Sequence, residues 1–202
     1  MNYQAAYRVG FHPWEDAEHC PEFSGRLLEL VADEETGTAP FGRALDVGTG
    51  SGIWGVAMAH RGWDVTGIDV VPKVVERARQ RIVAEGVEMS VVVGDVTRLH
   101  EFGIGDDYRL ILDTGTFHDF GTDAQLAMGR EIDAVAAADA TIILTVWPRR
   151  RRPFIRGADH LEIQAAFPGW EVSDVGPSGY VAPRVLNALL RPNEHFYRLE
   201  RR

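Results

Sequence analysis

Three aspartates close three successive apolar runs: Asp46 in RALDV (43–47), Asp69 in DVTGID (64–69) and Asp95 in SVVVGD (90–95). The first run leads into Gly48-Thr49-Gly50-Ser51-Gly52. Glycine directly after a strand permits a tight turn and lets a ligand reach the backbone N–H groups that open the next helix. A diphosphate is one candidate occupant, but Asp46 at the carboxyl end of the run would repel it, whereas a cation gains from the same carboxylate. The literal dinucleotide pattern G-x-G-x-x-G occurs at Gly50, Gly52 and Gly55, too late in the turn; counted from Gly48, the frame needs glycine at 53 and meets Ile53. Asp69 lies 21 positions after Gly48, where a carboxylate can accept both hydroxyls of a ribose. The plainer role for Asp69 or Asp95 is a helix N-cap or a turn. Together these residues suit a positively charged ligand without phosphate.

Such a site needs a scaffold that brings strand ends together. Short apolar runs alternate with helical patterns over residues 43–147. The glycine turn leads into a helix over 52–60. Pro72 stands at the first position of the next, with Val71, Val75, Ala78 and Ile82 recurring and Gly86 as the stop. YRLILD (108–113) and ATIILTVW (140–147) are the fourth and fifth strands, and Thr122 with Gln125 reads as a capping box for a helix running to about Ala138. Strands of nearly continuous apolar character belong in a parallel sheet covered on both faces. Their alternation with helices predicts a doubly wound, Rossmann-like α/β fold. After a helix at 158–167, WEVSDV (170–175) and EHFYRLERR (194–202) are joined without a long helix. They predict an antiparallel edge in a seven-stranded, mostly parallel sheet with helices on both faces. Residues 22–32 form an amphipathic helix before the first strand. No repeat, low-complexity segment or linker divides the chain. The expected organisation is one domain: an N-terminal lid and helix (1–38), a cofactor-binding core (39–147), and C-terminal edge strands with substrate-side loops (148–202).

Composition narrows the function classes. The chain has 202 residues, 45% of them hydrophobic and 25% charged, which is ordinary for a globular protein. A net charge of −9 argues against sequence-blind nucleic-acid binding, which needs clustered Lys and Arg. Cys20 is the only cysteine, so no internal disulfide forms and a reducing cytoplasm is expected. The N-terminus lacks a signal-peptide profile, and no apolar run reaches the roughly 18 residues of a membrane span. Neither a nucleic-acid nor a membrane partner is expected.

The arrangement D-V-G-T-G-S-G (46–52) resembles the first motif of the class I S-adenosylmethionine-dependent methyltransferases. Their cofactor carries an ammonium and a sulfonium and no phosphate. The resemblance implies a pocket for S-adenosyl-L-methionine, with S-adenosyl-L-homocysteine as product. In it, Asp46, Gly48, Thr49, Gly50 and Ile53 form the turn, Asp69 holds the ribose, and Asp95 receives the adenine amino group. Val70 and Val96 would pack the adenine, and Asp113 and Thr114 would close the far side. The family's strand order, 3-2-1-4-5, opens the crevice between strands 1 and 4. That places Gly115, Phe117 and His118 on the acceptor side. FHPWED (11–16) is similar to the Pro-Trp-Asp segment of the small-molecule members, the thiopurine, tellurite-resistance and heterocyclic-toxin types, in which Trp sits near the cofactor. Trp14 would take that place or pack as a lid or core residue, and Glu15 replaces the family's acid.

The acceptor implied is a small molecule methylated at sulfur, nitrogen or oxygen. Asn/Asp-Pro-Pro-Tyr, the motif for planar amines, is absent after the fourth strand. Methyl transfer is an in-line displacement that relies on positioning and exclusion of water. A thiolate needs little help from a base; a hydroxyl gains from one, and His118 is the candidate, with a turn-capping or lining role as its alternative. No metal is expected, because the fifth strand leads to Pro148 and Arg149 to Arg152 rather than to carboxylates. Those arginines read as a solvated loop or as a site for an acidic substrate. The competing functions are a nicotinamide-dependent oxidoreductase and a non-catalytic S-adenosylmethionine-binding protein.

Overall fold

The computed structural model describes residues 20–149, 156–181 and 193–202. Trp14 with the rest of FHPWED, and Arg150 to Arg152, lie outside them. The order of elements is helix α1 (Pro21–Asp33), strand β1 (Arg43–Val47), α2 (Ile53–Arg61), β2 (Asp64–Asp69), α3 (Pro72–Glu85) and β3 (Met89–Val93). A 3-10 segment (Val96–Phe102) precedes β4 (Tyr108–Asp113), and a shorter one (Phe117–Asp119) follows it. Then come α4 (Thr122–Val135), β5 (Ala136–Val146), α5 (His160–Ala166), β6 (Trp170–Pro177) and β7 (His195–Arg201).

All seven strands join one sheet in the order β3-β2-β1-β4-β5-β7-β6. The first five are mutually parallel, and β7 runs antiparallel to both β5 and β6. The antiparallel strand is inserted one place in from the edge, between β5 and β6. The order reverses at β1, whose neighbours are β2 and β4.

Local sequence explains most boundaries. Pro21 and Pro72 start α1 and α3 at positions where a missing N–H costs nothing. Gly62 and Gly86 end α2 and α3 in left-handed conformations. Phe23, Leu27 and Val31 recur every four residues along α1 and are buried. Helices cover both faces: Leu110 and Leu112 of β4 join the apolar cluster of α1, while Ile111 joins that of α4 and α5.

Two local expectations are corrected. Thr122 and Gln125 form no capping box, because Gly121 is the N-cap. That moves Gln125 one position too far along, and its amide donates instead to the Phe117 carbonyl at 3.2 Å. The capping box present is Asp159 with Glu162, at the start of α5. Helix α4 also stops at Val135 rather than near Ala138 and passes straight into β5. The alanine-rich stretch 134–140 favours helix locally, and pairing of Ala136 with Tyr108 in the sheet overrides that preference. No helix among the described residues is long and apolar enough to cross a membrane.

Candidate active site

At the carboxyl ends of β1 and β4, Val47 pairs with Asp113, so the turns that follow both strands leave the sheet side by side. This is the switch point of the fold, where crevices open. The first turn carries Gly48, Gly50 and Gly52, all with positive φ (+66°, +55° and +79°). The second is packed hard against it: a Cβ on Gly48 would stand 1.9 Å from Thr116 Oγ1.

Asp46 lies beneath the first turn. It is 1% exposed, and its Oδ2 accepts from Thr49 Oγ1 at 2.6 Å. A Cβ on Gly55 would come within 3.0 Å of the same oxygen, so the carboxylate is enclosed by its own turn and α2. Its Oδ1 is buried and has no hydrogen-bond partner among the described residues. Burial pushes its pKa to about 7, with Asp113 and Asp69 adding to the rise and the Thr49 hydroxyl and Gly55 amide opposing it. Asp46 thus organises the turn from beneath and does not reach the surface.

Asp69 ties the turn to the second strand. Gly50 N donates to its Oδ2 at 3.1 Å and Val71 N to its Oδ1 at 2.8 Å. The next residue, Val70, is a large apolar side chain left 48% exposed beside these groups. Asp95 is the N-cap of the 3-10 segment, accepting from Thr97 N and Thr97 Oγ1 through Oδ1. The capping role read from the sequence is therefore real, and Oδ2 lies 3.8 Å from Arg98 Nε. Val96 is buried against the core, and Ile53 is half-buried at the start of α2.

The far side departs from expectation. Asp113 is fully buried, and its carboxylate accepts three backbone N–H groups, from Gly115 (2.7 Å), Thr116 (2.6 Å) and Phe117 (2.8 Å). Burial raises its pKa while these amides oppose the shift. It shapes the second turn, and that work occupies both oxygens. Phe117 is also fully buried, its ring 5.9 Å from that of Phe167, and belongs to the core rather than to an acceptor pocket. Thr114 and Gly115 stay half-exposed on the turn.

His118 is 6% exposed, and its Nδ1 lies 3.3 Å from the Thr145 carbonyl. That contact requires hydrogen on Nδ1, which leaves the Nε2 lone pair as the acceptor of the neutral ring. Its ring sits 6.5 Å from that of Trp147, the residue after β5. Of the arginine run, Arg149 pairs with Glu162, which also holds Arg156, so this arginine is occupied at the surface. Sequence reasoning missed Thr116 and Trp147. Thr116 matters only because two turns distant in sequence meet, although adjacency of β1 and β4 would have pointed to it. No local signal marks Trp147.

These residues suit S-adenosylmethionine. Glycine at 48, 50 and 52 lets a ligand approach the turn closely, while Thr49 N, Gly50 N and Gly52 N donate within the protein to Ile68 O, Asp69 Oδ2 and Thr49 O and so hold the turn's shape. Three carboxylates at the switch point disfavour a diphosphate. The sheet order and this turn give a Rossmann-like fold with its crevice at the β1–β4 switch point. Residues 44–139 match the family described as a methyltransferase domain. A stretch of 100 residues is 36% identical to tRNA (guanine(26)-N(2))-dimethyltransferase of Halobacterium salinarum, covering 47% of this chain and 26% of that one. The chain spans about a quarter of the length of the curated relatives it matches. Magnesium protoporphyrin IX methyltransferase of Synechocystis PCC 6803, with bound S-adenosylhomocysteine, superposes with a TM-score of 0.73 at 17% identity over 99% of this chain and 98% of that one. A structure described for conversion of a disulfide bond into a thioacetal group during echinomycin biosynthesis has a TM-score of 0.70 at 23% identity, covering 98% and 91%. At such identities the likeness is one of fold.

Proposed function

We propose that the protein moves a methyl group from S-adenosyl-L-methionine to a sulfur, nitrogen or oxygen atom of a small molecule, leaving S-adenosyl-L-homocysteine. The observation that carries this reading is the glycine turn ordered from below by buried Asp46 and from the side by Asp69. The bound cofactor supplies a methyl on positively charged sulfur, open to in-line displacement. Gly48, Thr49 and Gly50 hold its amino-acid end, Asp69 the ribose, Asp95 the adenine amino group, and Val70 and Val96 the adenine faces. Thr114, Ile53 and Trp14 complete the cofactor site, and Gly115 and His118 face the acceptor. Orientation and exclusion of water provide most of the acceleration.

A small acceptor fits the net charge of −9 better than nucleic acid does, although one sequence relative acts on tRNA. Two relatives in fold are described by work on a porphyrin and on the disulfide of echinomycin. The protein is read as one domain working in the cytoplasm, without a membrane partner. Isothermal titration with S-adenosylmethionine, S-adenosylhomocysteine and NAD tests the cofactor, and transfer of labelled methyl to a panel of thiols, phenols and heterocycles tests the activity. Binding of NAD alone overturns the reading. Cofactor binding without any transfer reduces the protein to a non-catalytic binder.

A further inference from the structure

Three strands and one loop converge beside His118. Trp147 follows β5, Ser178 and Tyr180 follow β6, and Glu194 precedes β7. Because β7 is antiparallel, Val146 of β5 and Pro177 of β6 both pair with His195, which brings all these residues to the ligand end of the sheet. Glu194 is 8% exposed and Ser178 is 1% exposed. The Trp147 indole N–H donates to Glu194 Oε1 at 2.6 Å, and the Ser178 hydroxyl donates to Oε2 at 2.7 Å. Tyr180 N donates in turn to Ser178 Oγ at 3.1 Å. Among the described residues, the side chains bonded to this buried acid are neutral donors.

A half-buried indole has two side-chain torsions, and anchoring its N–H on a buried carboxylate removes the freedom of both. The anchored ring lies 6.5 Å from that of His118, tilted 38°, and 6.4 Å from that of Tyr180, tilted 56°. We infer that Glu194 is a positioning residue that fixes Trp147 as a flat wall beside His118, and that this wall selects a planar aromatic or heteroaromatic methyl acceptor. The inference rests on the methyltransferase reading above. A fixed flat surface makes full dispersion contact only with a flat partner, and a puckered ring of equal size loses part of it.

Benzenethiol and cyclohexanethiol, compared at about pH 5 where both are protonated and uncharged, are a pair matched in size and functional group that differ in flatness. Both are titrated into the full chain saturated with S-adenosylhomocysteine. The wild type is expected to bind benzenethiol about fivefold to tenfold more tightly. The ratio falls to near one in Trp147→Leu and in Glu194→Leu, and Glu194→Gln keeps it. The glutamine oxygen still accepts the indole N–H, and its amide donates to Ser178. A loss of general stability would weaken both thiols alike, so the ratio separates positioning from folding. If Glu194→Leu does not fold, Trp147→Phe serves, since it keeps a flat ring and severs the anchor: a lowered ratio supports the inference and an unchanged one overturns it. S-adenosylhomocysteine binding with a wild-type ratio near one, or a ratio indifferent to Trp147→Leu, overturns the inference alone. Failure to bind S-adenosylhomocysteine overturns the methyltransferase reading and the inference with it.

Discussion

Thr116 fills the space that any side chain at position 48 would need, its Oγ1 standing 1.9 Å from where a Cβ on Gly48 would lie. The two turns are thereby locked together across the switch point, and the crevice acquires a rigid floor. Gly48 also has φ of +66°, which costs a non-glycine residue about 1–2 kcal/mol. Gly48→Ala should therefore lower the melting temperature and weaken S-adenosylhomocysteine binding at least tenfold. Adding Thr116→Gly relieves the clash but not the backbone strain, so the double variant recovers only part of each loss. Calorimetry and isothermal titration measure both; a single variant indistinguishable from wild type would falsify the lock.

Asp46 makes stability depend on pH in an unusual direction. Its folded pKa, about 7, stands above its ordinary 3.8. The folded state then keeps a proton that the unfolded chain releases, so this contribution is intact below about pH 4 and declines as pH rises through 7. Glu194 acts in the same sense, rising from 4.5 to about 7 through burial. The ceiling for Asp46 is about 4 kcal/mol. Asp46→Asn, which keeps an oxygen for Thr49, should match the wild type in urea unfolding near pH 4.5 and exceed it near pH 8. A variant that is less stable than wild type at pH 8 would refute the assignment.

Ionised Asp46 also favours a positive guest. Affinity for S-adenosylmethionine relative to S-adenosylhomocysteine, whose sulfur is neutral, should rise between pH 6 and 8 by severalfold in the wild type and stay flat in Asp46→Asn. Parallel titrations at three pH values decide it, and a ratio independent of pH in both proteins removes Asp46 from cofactor discrimination.

Asp69 carries two roles that substitution separates. Asp69→Ala removes the acceptor for Gly50 N and Val71 N together with any contact to ribose, and should weaken S-adenosylhomocysteine by about 1–3 kcal/mol. Asp69→Asn retains one acceptor oxygen, so it should preserve more of the melting temperature than of the affinity. Unchanged affinity in the alanine variant eliminates Asp69 as a ligand contact.

The glycine turn and the strands that carry it were legible in the sequence because their signals are local. Glycine alone takes the left-handed turn after β1, and buried parallel strands appear as unbroken apolar runs. The acceptor side was not, because its contacts join residues far apart in the chain. Trp147 meets Glu194 across 47 positions, and only the insertion of β7 beside β5 brings them together. Phe117 and Asp113 were misread for another reason. A polar and an aromatic residue just after a strand look exposed in sequence, yet the turn folds back, using the carboxylate as its own acceptor and the ring as core. The helix boundary at Val135 failed where pairing with β4 overrode the helical preference of the alanines that follow.

His118 is held so that one nitrogen remains available. Its Nδ1 faces the Thr145 carbonyl at 3.3 Å, which favours the tautomer with a basic Nε2. A hydroxyl acceptor must lose a proton as it attacks, whereas a thiol ionises far more readily and its thiolate attacks without a base. His118→Ala should therefore cut turnover of a phenol by about 10²-fold or more, and that of a thiol of comparable size by less than tenfold. His118→Gln preserves a donor to Thr145 but offers no titrating base, so it should behave like alanine toward the phenol while keeping the wild-type melting temperature. Equal losses for phenol and thiol would leave His118 as a residue that shapes the wall and takes no proton.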